Sequence, residues 1–199
     1  ERLRPLSPGP VPHERNPLKV TATPLDGVKL IEPRVFGDAR GFFLETYSRE
    51  RYRAAGITED LLQDNLSRSG HGVLRGLHFQ NPAPQGKLVY VLEGEVFDVA
   101  VDIRRASPTL GQWHAVTLSS DNKKQLWLPP GFAHGFCVTS ETALFAYKCS
   151  AYYTPASEHT IRYDDPAIGI EWPVTDPLLS DKDRNASNLS EMDPAVLFA

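Results

Sequence analysis

Long apolar runs and an excess of charge are both missing from this chain. No stretch approaches the roughly 18 consecutive apolar residues of a membrane-spanning helix, and the first residues lack the apolar core of a signal peptide. The formal net charge of -4 gives no indication of general affinity for nucleic acid or for acidic membranes. We therefore expect a cytoplasmic protein with no nucleic-acid or membrane partner.

Cysteine is also scarce, because only Cys137 and Cys149 occur in the 199 residues. Two cysteines do not make a disulfide framework, and because both lie in apolar, strand-like stretches we expect buried free thiols. The sequence contains no glycine-rich phosphate loop of the P-loop or dinucleotide-binding type. Any phosphate group would therefore have to be bound by cationic side chains.

Proline is concentrated at the start, where residues 1–19 contain five prolines and almost nothing apolar. Such a segment cannot offset the entropy cost of its own ordering, so it is predicted to be a flexible extension. Residues 20–199 suffice for a single domain with a sizeable core. From about residue 176 the chain becomes polar with scattered apolar residues, which predicts a helical or irregular tail packed over that domain.

Short apolar, β-branched and aromatic runs, separated by Gly, Pro, Asp and Asn, fill most of the chain from residue 20 to about residue 153. In residues 97–103, FDVAVDI, apolar side chains alternate with aspartates and alanine at the period of a β-strand. Residues 48–56 are the exception, since Ser48 and Gly56 are typical of the two ends of a short helix. The pattern predicts an all-β protein, an antiparallel sandwich or barrel with a few short peripheral helices.

One stretch, residues 72–101, brings together residues suited to chemistry. His78 lies between Leu77 and Phe79, with Arg75 shortly before it and Lys87 after a Pro/Gly loop. A histidine in mid-strand is more often structural than catalytic. Two cations near it nevertheless favour a site for a negatively charged substrate, and histidine is the natural base near neutral pH.

His134 follows a Pro/Gly turn in PPGFAHGF and has two interpretations, a histidine that caps the loop or a second site residue facing His78. The spacing resembles the second signature of the cupin superfamily. Metal-binding cupins carry a further histidine and a carboxylate in their first signature, where this chain has Gln80 and, in the region of the carboxylate, Lys87. An amide and an ammonium make a poor site for a divalent metal, so we expect a cupin without metal or other cofactor.

A closer resemblance extends over about residues 28–173, with a weaker continuation through LSDKD. The motifs that carry it are RVFGDARGFFLETY, QDNLSRS, VLRGLHFQ, QGKLVYVLEGEVFDVAVDIRRASPTLGQW, LWLPPGFAHGF, YKCSAYYTPASEH and IGIEWP. Motif by motif they are similar to the dTDP-4-dehydrorhamnose 3,5-epimerase family. The resemblance implies a cupin-type jelly-roll barrel, a homodimer in which N-terminal strands join the partner's sheet, and a dTDP-linked 4-ketosugar as substrate.

The resemblance also implies roles for four catalytic residues. His78 would be the base, Asp183 the carboxylate that orients and charges its imidazole, Tyr147 the acid on the opposite face, and Lys87 the stabiliser of the oxyanion. Each has a simpler interpretation. Tyr147 could be an aromatic residue that fills the core, Asp183 a solvated acid in a polar tail, and Lys87 a surface lysine.

Substrate contacts are implied in the same way for residues that match the family's nucleotide-sugar site. They are Arg40, Glu45, Gln63, Asp64, Asn65, Arg75, Lys87, His134, Tyr153, Glu158 and Lys182. Arginine suits a diphosphate because its planar fork can bond two oxygens at once. Tyr153 could stack on the thymine or close the site, or Tyr152 and Tyr153 could be interface aromatics. Phe42 and Phe43 are expected in the core.

The resulting hypothesis is a cofactor-independent epimerase that inverts C3 and C5 of dTDP-4-dehydro-6-deoxy-D-glucose to give dTDP-4-dehydro-L-rhamnose. A relative that inverts only one of these carbons would carry the same motifs and remains an alternative. Two other classes are a metal-dependent cupin, such as a dioxygenase, and a non-catalytic sugar-binding barrel.

Overall fold

The computed structural model of this chain describes residues 18–199. The proline-rich extension predicted for residues 1–19 therefore lies outside the described residues, apart from its last two. Of those two, Leu18 packs against a buried cluster and Lys19 begins the first strand. Within residues 18–199, no helix is long and apolar enough to cross a membrane.

Residues 18–199 contain thirteen short strands. They are β1 Lys19–Ala22, β2 Lys29–Glu32, β3 Val35–Asp38, β4 Gly41–Leu44, β5 Gln63–Gly70, β6 Leu74–Gln80, β7 Lys87–Glu93, β8 Glu95–Asp102, β9 Trp113–Ser119, β10 Gln125–Leu128, β11 Phe132–Val138, β12 Thr142–Cys149 and β13 Glu158–Thr160. The helices are α1 Arg49–Ala54 and α2 Asp181–Arg184, with short 3-10 turns at Pro155–Ser157, Leu189–Glu191 and Pro194–Val196.

The strands form two main sheets and a separate hairpin. One sheet has six strands in the order β1-β2-β10-β7-β12-β5, and the other has five in the order β13-β6-β11-β8-β9. Within residues 18–199, strands β3 and β4 pair only with each other. All pairings between these strands are antiparallel. The predicted all-β, antiparallel class is confirmed.

The two sheets enclose a core that includes Val89, Leu118, Leu126 and Phe145, all fully or nearly fully buried. Strand β8 illustrates how successive side chains point to opposite faces of a sheet. Its more apolar face, with Val99 and Val101, packs in a second cluster that includes residues of the C-terminal segment, such as Leu197. Its other face carries Asp98 and Ala100 towards the space between the sheets.

The outer face of the six-stranded sheet is covered in part by α1 and the loop after it. Tyr52 and Ile57 are buried in a cluster with Leu88 and Trp127, and the Tyr52 hydroxyl donates to Gln125 Oε1 at 2.6 Å. The helix predicted between Ser48 and Gly56 is therefore present, although the Ser48 side chain makes no cap hydrogen bond.

The prediction for Phe42 and Phe43 is wrong. They are 62% and 69% exposed on the β3–β4 hairpin, because that hairpin pairs with neither main sheet. On β5 and β7, Leu66 and Leu92 are also exposed. Part of this surface is therefore apolar and uncovered within the chain.

Candidate active site

A cavity of about 340 Å³ opens between the two sheets, lined mainly by residues of β5, β6, β7, β11 and β12. Ten of the residues proposed for the site from the sequence surround it. They are Gln63, Asn65, Arg75, His78, Lys87, His134, Tyr147, Tyr153, Glu158 and Lys182. The cavity is therefore lined by several cations and by both candidate proton-transfer groups, the His78 imidazole and the Tyr147 phenol.

Strand β6 brings His78 next to His134, its direct partner across the β6–β11 pair. The two strands approach closely at two glycines. A Cβ on Gly76, whose φ is +141°, would lie 2.5 Å from the Cα of Gly135. Glycine is required there because any side chain would push the two histidine-bearing strands apart.

Asp183 lies behind His78 and is almost completely buried. The His78 Nε2–H donates to Asp183 Oδ1 at 2.5 Å. The carboxylate is carried by α2, where the backbone N–H of Asp183 donates to Ser180 Oγ at 3.1 Å. With Nε2 engaged in this way, Nδ1 is the ring nitrogen left to accept a proton.

Burial and pairing act in opposite directions on this couple. Burial lowers the pKa of His78 below its ordinary value, and Asp183 opposes that shift only in part. Burial alone would raise the pKa of Asp183, but its hydrogen bonds from His78 and Ser180 bring it below the ordinary value. At neutral pH the pair is therefore a neutral imidazole held by a carboxylate, which is the state a general base requires.

Lys87 begins β7 and points into the cavity. Burial lowers the pKa of its ammonium group, and the negative charges of Glu158 and Asp98 oppose that shift only in part. Among the described residues Lys87 forms no hydrogen bond and no ion pair. A cation held in this way can stabilise an oxyanion that develops beside it.

Tyr147 stands on β12, paired with Val89 of β7 and Asn65 of β5. Burial raises the pKa of its phenol, so the group is protonated at neutral pH and can donate a proton. Next to it, Phe145 stacks on Phe136 with ring centroids 4.1 Å apart. These two rings give the cavity one apolar wall.

His134 belongs to a second histidine–aspartate pair. Its Nε2 lies 3.1 and 3.0 Å from the two carboxylate oxygens of Asp98. Both residues are buried. Asp98 could not be selected from local sequence patterns, because its partner lies 36 positions away.

Charged and polar groups at the rim are linked to one another. Lys182 Nζ lies 2.9 Å from Glu158 Oε1, and the Tyr153 hydroxyl donates to Glu158 Oε2 at 3.0 Å. The Tyr153 backbone N–H donates to Gln63 Oε1 at 2.8 Å. Burial would raise the pKa of Glu158, but Lys182 and Tyr153 hold it below the ordinary value.

Three residues expected at the site lie elsewhere in this chain. Asp64 bonds Lys148 Nζ at 2.8 Å on the outer face, because successive strand residues point to opposite sides and its neighbours Gln63 and Asn65 take the inner one. Arg40 pairs with Asp38 at the tip of the exposed hairpin. Glu45 pairs with Arg51 of α1.

Several cavity residues were missed from the sequence. They are Ser67, Gln85, Phe136, Phe145 and Cys149, together with the supporting Asp98. The period-two rule along QDNLSRS could have identified Ser67 and rejected Asp64. The same rule along ALFAYKC places Phe145 and Cys149 on the face of Tyr147, whereas Gln85 in its Pro/Gly loop has no comparable signal.

Gln80, at the position of a metal ligand in other cupins, does not line this cavity. Its amide nitrogen donates to the carbonyls of Ala83 and Tyr152 at 2.6 and 3.1 Å, and its oxygen accepts from the Thr154 N–H at 2.8 Å. Across residues 18–199 no cluster of three or more His, Cys, Asp and Glu side chains is arranged to hold a metal ion.

Comparison with known proteins gives consistent matches. Residues 22–191 match the sequence model of the dTDP-4-dehydrorhamnose 3,5-epimerase family. The chain is 52% identical over 178 residues to a dTDP-4-dehydrorhamnose 3,5-epimerase of Shigella flexneri, covering 88% of this chain and 98% of the relative.

Two solved structures bear on the site. A dTDP-6-deoxy-D-glucose-3,5-epimerase of Legionella pneumophila in complex with dTDP-4-keto-L-rhamnose is 54% identical, with a TM-score of 0.89 and coverage of 91% of this chain and 97% of its own. A 3'-monoepimerase of Streptomyces bikiniensis in complex with dTDP-quinovose is 35% identical, with a TM-score of 0.78 and 87% of each chain covered. The fold is thus shared by enzymes described as double and as single epimerases.

Proposed function

The chain belongs to the dTDP-4-dehydrorhamnose 3,5-epimerase family, and on that premise we propose that it inverts C3 and C5 of dTDP-4-dehydro-6-deoxy-D-glucose. The product is dTDP-4-dehydro-L-rhamnose, and the residues of the chain carry out the chemistry without a cofactor. The observation that supports this most directly is the His78–Asp183 pair in a cation-lined cavity that also contains the Tyr147 phenol.

The 4-keto group makes the neighbouring C3–H and C5–H bonds acidic. Neutral His78 removes one of these protons through Nδ1, and the electron pair of the broken C–H bond moves into an enolate whose negative charge is on O4. Asp183 stabilises the imidazolium that forms. Lys87 stabilises the enolate oxygen, and removal of one such donor typically costs about 10² to 10³ in kcat.

Tyr147 completes the inversion by delivering its phenolic proton to the same carbon from the opposite face. The tyrosinate and the imidazolium then return to their starting states by proton exchange with solvent. Repetition at the second carbon requires only that the sugar present its other C–H bond to His78. The cavity contains one base and one acid for both steps, so the orientation of the ring decides which carbon reacts.

Substrate binding relies on the cations that line the cavity. Arg75 and Lys182 are suited to the diphosphate, since no glycine-rich loop is present to bind it. Gln63, Asn65, His134, Tyr153 and Glu158 supply polar and aromatic contacts for the rest of the nucleotide sugar. Lys182 would have to exchange its present contact with Glu158 for a phosphate oxygen.

Turnover in D2O tests this function and separates it from its alternatives. We expect deuterium at both C3 and C5 of the recovered sugar nucleotide, and unchanged rates in the presence of a chelator. Deuterium at one carbon only would identify a single epimerase. Absence of exchange with the dTDP-linked ketosugar, or loss of activity with chelator, would contradict the proposal.

We also propose a homodimer in which the β3–β4 hairpin reaches the partner's cavity. The hairpin exposes Phe42 and Phe43 and carries Arg40 away from the cavity of its own chain. Glu45 follows directly after it. In the proposed dimer, Arg40 and Glu45 contact substrate in the partner's cavity.

Mixing two impaired variants tests this arrangement. The His78→Ala chain lacks the base but keeps a normal hairpin, while Arg40→Ala keeps the base but has an altered hairpin. In mixed dimers one site of the two has both residues, so activity should rise above that of either variant alone. A monomer by sedimentation, or no rise on mixing, would contradict the proposal.

A further inference from the structure

Strand β5 presents a row of polar side chains to the interior of the barrel. Gln63, Asn65 and Ser67 line the cavity, and Ser69 is buried one step further along. An edge strand facing an apolar core would not be expected to carry four such groups in succession. Each of these four polar groups is therefore expected to have a hydrogen-bond partner.

Three of the four side chains have partners in the protein. Gln63 bonds the backbone N–H of Tyr153 at 2.8 Å. Asn65 donates to the sulfur of Cys149 at 3.6 Å. Ser69 accepts a hydrogen bond from Arg75 Nε at 3.2 Å, which holds the guanidinium at this side of the cavity.

Ser67 is different. Its hydroxyl oxygen is buried and has no hydrogen-bond partner among residues 18–199. A buried hydroxyl without a partner costs free energy, so such groups are rare in native proteins and call for an explanation. Because this hydroxyl stands in a cavity wall, a ligand group is the partner that the surroundings suggest.

The register of the strands indicates which part of the substrate this would be. On β12, Tyr147 pairs with Asn65, Phe145 with Ser67, and Ala143 with Ser69. Ser67 therefore lies between Asn65, which is level with Tyr147, and Ser69, which bonds Arg75. In the proposed function, Tyr147 is next to C3 and Arg75 is next to the phosphate on C1.

We propose that Ser67 is a substrate-binding residue whose hydroxyl bonds the C2 hydroxyl of the hexose, the substituent between the phosphorylated carbon and C3. A serine hydroxyl both donates and accepts, as a sugar hydroxyl does. The phosphate oxygens already have Arg75 and Lys182 for charge. The inference rests on the proposed function, because it takes the positions of C1 and C3 from it.

Ser67→Ala tests this with a readout that a structural role would not produce. Without substrate, the thermal midpoint should stay the same or rise, since the variant loses an unpaired buried hydroxyl. Affinity for dTDP, which lacks the hexose, should stay within about twofold. The value of kcat/KM should fall about threefold to tenfold, the usual effect of one neutral hydrogen bond.

A substrate analogue sharpens the assignment. The wild-type protein should lose a similar factor with the corresponding 2-deoxy ketosugar, and Ser67→Ala should lose nothing more with it. Ser120→Ala, which removes a hydroxyl outside the cavity lining, is the matched control and should behave as wild type. Ser69→Ala should instead weaken dTDP, because it releases Arg75.

The possible failures are distinguishable. Weaker dTDP binding by Ser67→Ala would assign the hydroxyl to a phosphate oxygen and overturn the inference. A lower thermal midpoint with unchanged kinetics would make Ser67 a structural residue. If Ser67→Ala still discriminated against the 2-deoxy sugar as strongly as the wild-type protein does, the proposed contact with the C2 hydroxyl would be contradicted. Failure of the wild-type protein to exchange deuterium would instead count against the function itself.

Discussion

Two histidine–aspartate pairs stand side by side in this cavity, and they are built differently. His78 and His134 are direct partners across β6 and β11. The His78 side chain is 23% exposed and contacts one oxygen of Asp183, whereas the His134 side chain is 8% exposed and lies near both oxygens of Asp98. The same residue types are thus held in one case with more access to the cavity and in the other with less.

The difference suggests a division of labour. A base must exchange its proton with substrate and then with solvent, which requires an accessible ring nitrogen. His78 meets that requirement and keeps Nδ1 available. His134, enclosed between Asp98 and the ring of Phe145 at 6.1 Å, is better suited to form a fixed part of the wall.

The largest expected effect comes from removal of the first ring. His78→Ala should lower the rate of deuterium exchange by at least about 10², within the 10² to 10⁴ that a positioned base typically contributes. Because the side chain is only partly buried, the fold should survive, as circular dichroism can check. His71→Ala, an exposed histidine outside the cavity, is the matched control.

Full activity of His78→Ala would assign the base to another residue. A fall confined to KM would have a similar consequence, since a base acts in the chemical step rather than in binding. In either case the division of labour between the two pairs would have to be reversed.

A smaller effect is expected when the carboxylate behind His78 is neutralised. A hydrogen bond to a charged group contributes roughly 1.5 to 3 kcal/mol, so Asp183→Asn should reduce kcat/KM about 10- to 100-fold. Asp183 raises the pKa of His78 against the lowering effect of burial. Its loss therefore lowers that pKa further.

The sign of the pH effect follows from this. In the wild-type protein kcat/KM should rise with pH as His78 loses its proton, with a midpoint below the ordinary histidine value of about 6.5. In Asp183→Asn the midpoint should move to lower pH while the plateau falls. If the midpoint of this acidic limb of the pH profile were the same in Asp183→Asn as in the wild-type protein, His78 would not be the group that titrates.

Local sequence patterns were sufficient for much of the fold but for less of the site. The alternation in β8 and the Ser48–Gly56 helix signal depend on neighbours in sequence, and the structure has both. The alternation of strand residues between two faces, applied to QDNLSRS, places Ser67 on the inner face and Asp64 on the outer one. The prediction for Phe42 and Phe43 failed because apolar character alone does not say whether another part of the chain packs over these side chains.

Long-range pairings have no local signal. Asp183 lies 105 positions from His78, and in the polar segment after residue 176 it resembles any solvated acid, so only the family resemblance selected it. Asp98 had no such support, because the alternation placed it on a face without saying that His134 would meet it there. The first contact depends on how α2 packs beside β6, and the second on the pairing of β8 with β11 within one sheet.

The second pair should give the smallest change. His134→Gln keeps an amide donor near the position of Nε2, so Asp98 does not lose its partner, but removes the ring from the cavity wall. We expect kcat/KM to fall about threefold to tenfold, the effect of one neutral hydrogen bond, mainly through KM. The acidic limb of the pH profile should stay where it is in the wild-type protein. If His134→Gln instead abolished exchange at one carbon and spared the other, the enclosed histidine would itself be a base, and each pair would serve one of the two inversions.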